Sequence, residues 1–100
     1  MKYGLFGRFV AQEGKRDELV AILLEAASTL ERTNADCLQY VVGVTQGTNE
    51  VWVSEVWTTK EAHDASLAPE EVRAMIMRAR PLIKEISSGT EYAVVGGKGA

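Results

Sequence analysis

The segment 51–57 constrains the fold more than any other part of the chain, because it reads as a strand that is apolar on both sides. In an extended strand successive side chains point to opposite faces. One face would carry Val51, Val53, Glu55 and Trp57, and the other Trp52, Ser54 and Val56. Both sets are too apolar to meet water. We therefore expect a sheet with helices on one face and a second sheet, from a partner chain, on the other.

Patterns elsewhere in the chain give the order of the elements. Residues 3–10 and 38–44 predict two further strands, and 46–49 is typical of a hairpin turn. A helix is predicted from Asp17 to the turn-forming residues 33–36, because apolar residues recur there every three or four positions. They are Leu19, Ile22, Leu23, Ala26, Ala27 and Leu30.

The region after the third strand predicts two helices. Thr58 and Glu61 have the spacing of a capping box, so a first helix is expected to start there and carry residues 62–67. Pro69 suits the first position of a second helix, which Pro81 should kink or interrupt. The apolar face of this second helix is expected to comprise Val72, Met75, Ile76, Ala79, Ile83 and Ile86.

The end of the chain completes the predicted topology. Residues 87–89 should close the second helix, 90–95 predict a last strand, and 96–100 a flexible tail. The resulting order β-α-β-β-α-β is that of a ferredoxin-like α+β fold with a four-stranded antiparallel sheet. A chain of 100 residues has room for one domain, so residues 1–100 are taken as a single unit. Such a small core favours a homodimer, and pairing through the sheets would give a dimeric α/β barrel.

Composition excludes several classes of function. The net charge is −3 with both signs mixed along the chain, which argues against nucleic acid and anionic membrane surfaces. No segment approaches the roughly 18 apolar residues of a membrane span. The single cysteine, Cys37, fits a reducing compartment, and we expect a cytoplasmic protein in which this thiol is a small hydrophobe and not a nucleophile. One His, one Cys and no Gly-rich phosphate cradle predict no metal, flavin or other cofactor.

Several stretches together resemble the antibiotic-biosynthesis-monooxygenase domain family, which includes cofactor-free quinol monooxygenases. The similarity runs over essentially the whole chain and is carried by the opening strand with Gly14-Lys15, by Cys37-Leu38-Gln39-Tyr40, and by Glu55-Val56-Trp57 followed by Glu61-Ala62-His63-Asp64-Ala65-Ser66-Leu67. The resemblance is specific for the fold. It is weaker for the reaction, since members include monooxygenases, haem degraders and an isomerase.

Two positions depart from the pattern of that family. Ala35-Asp36 stands where the family often has Pro-Gly, which concerns the turn more than the chemistry. The helix after the tryptophan often carries an aromatic residue and, three places on, a histidine. Here those places hold His63 and Ser66, so the role of the family's histidine does not carry over to Ser66.

The resemblance implies oxygenation of an electron-rich aromatic by O2, which requires a base and a dry pocket. The candidate catalytic residues are Glu55 and His63, and the candidate substrate-binding residues are Trp57, Tyr40 and Arg8. Each has an alternative interpretation. His63 would be structural or surface-exposed, Glu55 would pair with Arg8, and Trp57 would only fill the core, while Tyr40 and Arg8 would be structural.

The function expected on this basis is a cofactor-independent monooxygenase that acts on a quinol-like or polycyclic aromatic. Its partners would be a small aromatic substrate, O2 and a second copy of the chain. Two alternatives stay open at the level of sequence. One is a haem-degrading or isomerase relative on the same fold, and the other a non-catalytic, dimeric ligand-binding or accessory protein.

Overall fold

Five antiparallel strands and three α-helices form the part of the chain that the structure, a computed structural model, describes, namely residues 1–87 and 89–100. In chain order they are β1 (Lys2–Ala11), α1 (Arg16–Thr33), β2 (Cys37–Val44), β3 (Glu50–Trp57), α2 (Lys60–Ala65), α3 (Glu70–Ala79), a 3₁₀ turn (Arg80–Leu82), β4 (Ile83–Ile86) and β5 (Thr90–Val94). Residues 96–100 form neither helix nor strand.

The sheet has the order β2-β3-β1-β4, and β5 also pairs with β1. Strand β5 pairs with β1 over residues 2–6 and β4 over residues 9–11, so the two short strands lie along one edge of β1. All pairs are antiparallel. The predicted ferredoxin-like α+β fold is confirmed, with one strand more than the four expected.

Helix α1 confirms the prediction from apolar spacing. Its first turn carries Asp17 and Glu18, whose negative charges suit the positive end of the helix dipole. Leu19 and Leu30 on its apolar face are buried. The main core comprises Ala11, Leu19, Val51, Ala79 and Leu82. None of the helices within the described residues is long and apolar enough to cross a membrane.

The second helix is shorter than predicted, and the last part of the predicted segment forms strand β4 instead. Helix α3 stops at Ala79, and Pro81 lies in the 3₁₀ turn that follows. Proline ends the helix because it lacks an N–H and its ring clashes with the preceding turn. Ile83 and Ile86, which fit the helical spacing, belong to β4, where Ile86 faces Phe9 of β1. The predicted closure at 87–89 includes residue 88, which lies outside the described residues.

The predicted capping box is also wrong by one residue. Thr59, not Thr58, is the N-cap of α2, and its hydroxyl accepts a hydrogen bond from the Ala62 N–H at 3.0 Å. The Thr58 hydroxyl instead donates to Asp36 Oδ1 at 2.8 Å, and its N–H donates to the Asp36 carbonyl at 2.9 Å. These two bonds tie Thr58 to Asp36, the residue before β2. The Thr58 hydroxyl therefore does not cap the helix, which starts one position later.

The sheet face away from the helices is called here the open face. It carries Gly4, Phe6, Arg8, Val41, Trp52 and Tyr92, as the strand register shows. The rings of Phe6 and Trp52 stack with centroids 5.4 Å apart, and Val41 is 58% exposed. A Cβ at position 4 would overlap the ring of Tyr92. The open face is therefore aromatic and, in the single chain, largely uncovered.

Candidate active site

A cavity of about 140 Å³ lies between the helices and the covered face of the sheet. Helices α1 and α3 supply an aliphatic wall formed by Ile22, Leu23, Ala26, Leu30, Val72, Met75, Ile76 and Ala79. Its polar groups come from β2, β3, α2 and the residue after α2, and they are Tyr40, Glu55, Trp57, His63 and Ser66. Leu67 and Ile76 line the cavity while 46% and 37% exposed, so they form its mouth.

Glu55 and Trp57 form a hydrogen-bonded pair in this cavity. They are two residues apart on β3 and therefore on the same face. The Trp57 Nε1–H donates to Glu55 Oε1 at 3.0 Å, and Trp57 is only 1% exposed. Burial raises the pKa of the Glu55 carboxyl, while the Trp57 hydrogen bond and the nearby His63 oppose that rise. A carboxylate with a raised pKa is a stronger base than an ordinary one.

His63 lies on α2, against the same two residues. Its ring packs edge-on against Trp57 and tilted against Tyr3, with centroids 5.4 Å away in each case. Nε2 is 3.9 Å from Glu55 Oε1, and Nδ1 is 3.0 Å from Asp64 Oδ1. Glu55, Trp57 and His63, three of the candidate site residues, thus lie close together in the structure.

Tyr40 and Cys37 lie on β2, next to Glu55. Burial, and then the negative charge of Glu55, raise the pKa of the Tyr40 phenol, so it stays protonated and can donate a hydrogen bond. The same two causes raise the pKa of the Cys37 thiol to about 11. A thiol of this kind is a poor nucleophile, which fits the interpretation of Cys37 as a small hydrophobe.

The structure does not bring Arg8 to the cavity. Arg8 is on the open face, opposite Trp52 in the β1–β3 register, with its guanidinium 6.0 Å from the centre of that indole. Its Nε lies 2.5 Å from Glu50 Oε2. The alternative in which Arg8 pairs with Glu55 is therefore wrong, because its carboxylate partner is Glu50, on the other side of β3.

Sequence reasoning missed three residues around His63. Ser66, at the position of the family's histidine, is buried and its hydroxyl donates to the His63 carbonyl at 2.5 Å. Tyr3 reaches the site only through its pairing with Trp57, which no local pattern reveals. The sequence could have indicated Asp64, because it directly follows the single histidine. Within residues 1–87 and 89–100, no three His, Cys, Asp or Glu side chains are grouped to hold a metal.

Comparison with known proteins gives a family and several similar folds. Residues 3–78 match the family described as antibiotic biosynthesis monooxygenase. A crystal structure from Chloroflexus aurantiacus J-10-fl that bears the family's name is 40% identical, with a TM-score of 0.87 over 97% of this chain and 96% of that one. One from Caulobacter crescentus CB15, with the same family name, is 16% identical, with a TM-score of 0.87 over 95% and 91%.

A third similar structure is SnoaB from Streptomyces nogalater, a cofactor-independent oxygenase. It is 15% identical, with a TM-score of 0.81 over 97% of this chain and 96% of that one. At this identity the likeness concerns the fold alone. No curated protein matches the chain. The family match over residues 3–78 and the 40% identity to the Chloroflexus structure agree with the resemblance found in the sequence, and the chain belongs to the antibiotic biosynthesis monooxygenase family.

Proposed function

We propose that the protein is a cofactor-independent monooxygenase that oxidises a small quinol-like aromatic with O2. The observation that carries this proposal is a buried carboxylate that can act as a base. Glu55 is 14% exposed, has a raised pKa, and shares a cavity with an aliphatic wall and the Trp57 indole. Proton removal from a phenol requires such a group within reach of the substrate.

The chemistry follows from what a deprotonated quinol does. Glu55 takes the proton of a substrate hydroxyl, and the resulting anion gives one electron to O2, after which the two radicals combine to a peroxide. Loss of water leaves one oxygen atom on the ring, so a hydroquinone and O2 give a hydroxyquinone and water. The Tyr40 hydroxyl is the donor available to developing negative charge, since the Trp57 N–H already donates to Glu55. The aliphatic wall keeps water from the intermediates.

The cavity also favours one size and charge of substrate. Its volume of about 140 Å³ is close to the roughly 150 Å³ of an apolar cavity that accepts benzene. Between the quinol-like and polycyclic alternatives, the volume favours a single ring, because a larger one would have to displace Leu67 and Ile76 at the mouth. Among the described residues no Lys or Arg lines the cavity, which favours a neutral substrate.

We also propose that the open face is covered by a second copy of the chain. The Phe6–Trp52 stack and the exposed side chains of Val41 and Tyr92 form an aromatic and aliphatic surface on the sheet. Exposed apolar surfaces of this kind on small proteins usually mark interfaces. A copy related by a twofold axis would present the same surface and bury both sheets.

The haem-degrading alternative has less support. The cavity is far smaller than a haem, and both ring nitrogens of His63 face carboxylates, Asp64 and Glu55, instead of open space. The ligand-binding alternative shares the cavity and differs only in whether turnover occurs, so it is decided by experiment.

The test is oxygen uptake with a panel of hydroquinones of increasing size, with a chelator present and no flavin added. We expect single-ring substrates to be oxidised fastest and one atom of ¹⁸O₂ to enter the product. Quinols autoxidise, so the control is an equal amount of the Glu55→Gln protein. Saturable binding with no uptake above that control would overturn the proposal in favour of a ligand-binding protein.

A further inference from the structure

His63 links the buried carboxylate of the cavity to a charged cluster at the surface. The histidine side chain is 13% exposed, with one nitrogen facing Glu55 in the cavity and the other bonded to Asp64, which is 54% exposed. We propose that His63 carries protons between Glu55 and solvent, and that Asp64 is the positioning residue that decides which ring nitrogen faces Glu55. This inference rests on the proposed function and assigns to it a proton path.

The two contacts of the ring dictate how the proton moves. An ionised carboxylate only accepts hydrogen bonds, so Asp64 at 3.0 Å holds a proton on Nδ1 and leaves Nε2 as the free acceptor. Nε2 is 3.9 Å from Glu55 Oε1, longer than a hydrogen bond and within reach of a small side-chain movement. The proton leaves Glu55 Oε1 for Nε2, and the Nδ1 proton leaves for solvent beside Asp64.

A proton that leaves through His63 has to return by the same path. A hydroquinone and O2 give a hydroxyquinone and water, so the reaction takes up no net proton. Any proton that Glu55 passes to solvent through His63 must therefore be returned when the peroxide loses water. A ring that exchanges protons with solvent on one side and with Glu55 on the other supplies it at that stage, without opening the cavity.

Lys60 of the same helix pairs with Asp64, and residues of β5 and β1 extend this network. Lys60 Nζ is 3.4 Å from Asp64 Oδ2 and 3.3 Å from Glu91 Oε1, and the Tyr3 hydroxyl donates to Glu91 Oε1 at 2.8 Å. The hydrogen bond from His63 and the charge of Lys60 lower the pKa of Asp64. Exposed ion pairs add little stability to a fold. We therefore interpret this network as positioning the histidine and not as stabilising the protein.

The titratable groups that face His63 come from four elements. They are Tyr3 on β1, Glu55 on β3, Lys60 and Asp64 on α2, and Glu91 on β5 through Lys60 and Tyr3. The hydrogen-bonded Tyr3 phenol has its pKa raised to about 12, chiefly by burial, so it does not exchange protons near neutrality. Among the titratable groups of residues 1–87 and 89–100, His63 alone lies against both Glu55 and a surface carboxylate.

The first arm of the test reads the His63 tautomer without substrate. The sequence has one histidine, so ¹⁵N NMR of the imidazole gives a single set of signals. In the wild type at alkaline pH, we expect the Nδ1–H form to dominate. Asp64→Ala should shift the population toward the Nε2–H form, while Glu61→Ala, which removes an exposed acid from the same helix, should not. An unchanged tautomer in Asp64→Ala would overturn the inference.

The second arm separates proton transfer from folding and binding. His63→Ala should lower kcat by about 10²-fold with KM within about twofold, and free imidazole should restore part of the loss. Asp64→Ala should lose about threefold to tenfold in kcat, with Glu61→Ala as the control. A His63→Ala protein with wild-type kcat, or one that imidazole does not rescue, overturns the inference and leaves the proposed monooxygenase intact.

The two arms also distinguish this inference from the function on which it rests. If the wild type oxidises no quinol, the proposed function fails, and the tautomer experiment still decides whether Asp64 positions His63. If quinols are oxidised and Glu55→Gln is inactive while His63→Ala is not, the base is confirmed and the proton path is rejected.

Discussion

Strand β3 places a tryptophan and a glutamate on each face of the sheet, and the two pairs have opposite environments. On the covered face, Trp57 is 1% exposed and donates to Glu55, whose pKa is raised by burial. On the open face, Trp52 is partly exposed and donates to Thr45 Oγ1 at 2.8 Å. Glu50 on that face has its pKa lowered by the hydrogen bond from Arg8.

Burial and the neighbouring charge, and not the residue type, set the direction in which the pKa of each glutamate shifts. A carboxylate that is buried without a cation becomes a base, and the same group beside a guanidinium becomes one half of an ion pair. Side chains alternate between the two faces of a strand, so β3 lines a cavity with one face and presents an exposed apolar surface with the other. Matched substitutions on the two faces test this contrast.

The largest effect is expected when the two glutamates are neutralised. Glu55→Gln keeps the volume and removes the base, so turnover of a quinol should fall by about 10²–10⁴-fold with a smaller change in KM. Glu50→Gln is the matched control on the other face and should keep kcat within about twofold. Steady-state oxygen uptake measures both. Equal losses in the two variants would mean that the faces do not differ in function.

The two tryptophans should differ in their contribution to stability. Trp57→Ala opens a cavity in the covered face and should lower the free energy of unfolding by about 3–5 kcal/mol. Trp52→Ala, on the open face, should lose about 1 kcal/mol in the monomer, in the range of exposed substitutions. Urea unfolding monitored by far-UV circular dichroism gives both values. A larger loss at Trp52 would mean that the open face, and not the covered face, contains the structural core.

A charge on the open face should disrupt association without unfolding the chain. Val41→Lys introduces an ammonium into the proposed interface and should weaken dimerisation by at least about tenfold, or 1.4 kcal/mol. Leu24→Lys is a suitable control, because Leu24 is 52% exposed on α1, away from the sheet. Sedimentation velocity over a concentration series reports the change. A wild type that stays monomeric at micromolar concentration contradicts the dimer.

The smallest effect concerns how stability depends on pH. The folded-state pKa of Glu55 lies above its ordinary value of 4.5, so the folded protein binds more protons and loses stability as pH rises through that interval. Glu55→Gln removes this contribution and should gain stability relative to wild type as pH rises from 4.5. Glu50 has a lowered pKa, so Glu50→Gln should lose stability relative to wild type as pH rises toward 4.5. Parallel pH curves for wild type and both variants would contradict the assigned environments.

Local patterns predicted much of the fold. The alternation in β3 and the three-to-four spacing in α1 are properties of neighbouring residues, and both elements are where expected. Strand β4 was missed because Ile83 and Ile86 continue the helical spacing of α3. What makes them a strand is pairing with β1, more than 70 positions away in the chain for Phe9 and Ile86, and no local rule reports such a contact.

The candidate site was predicted in part, for the same reason. Glu55, Trp57 and His63 are near each other in sequence, and the strand followed by a helix brings them together. Arg8 required the register of β1 against β3, which decides the face on which it lies. The register is set by the whole sheet, so the sequence left its side undetermined. Whether the assembled residues act as a base and its substrate pocket stays a prediction.

The contact between Gly4 and Tyr92 has a consequence for how this sequence can change over time. The Tyr92 ring lies where a side chain at position 4 would have to be, so any side chain there requires that ring to move or to be replaced. A lineage that acquires alanine at position 4 must therefore accommodate it at position 92. The two positions should therefore vary together among descendants of this protein, although they lie at opposite ends of the chain.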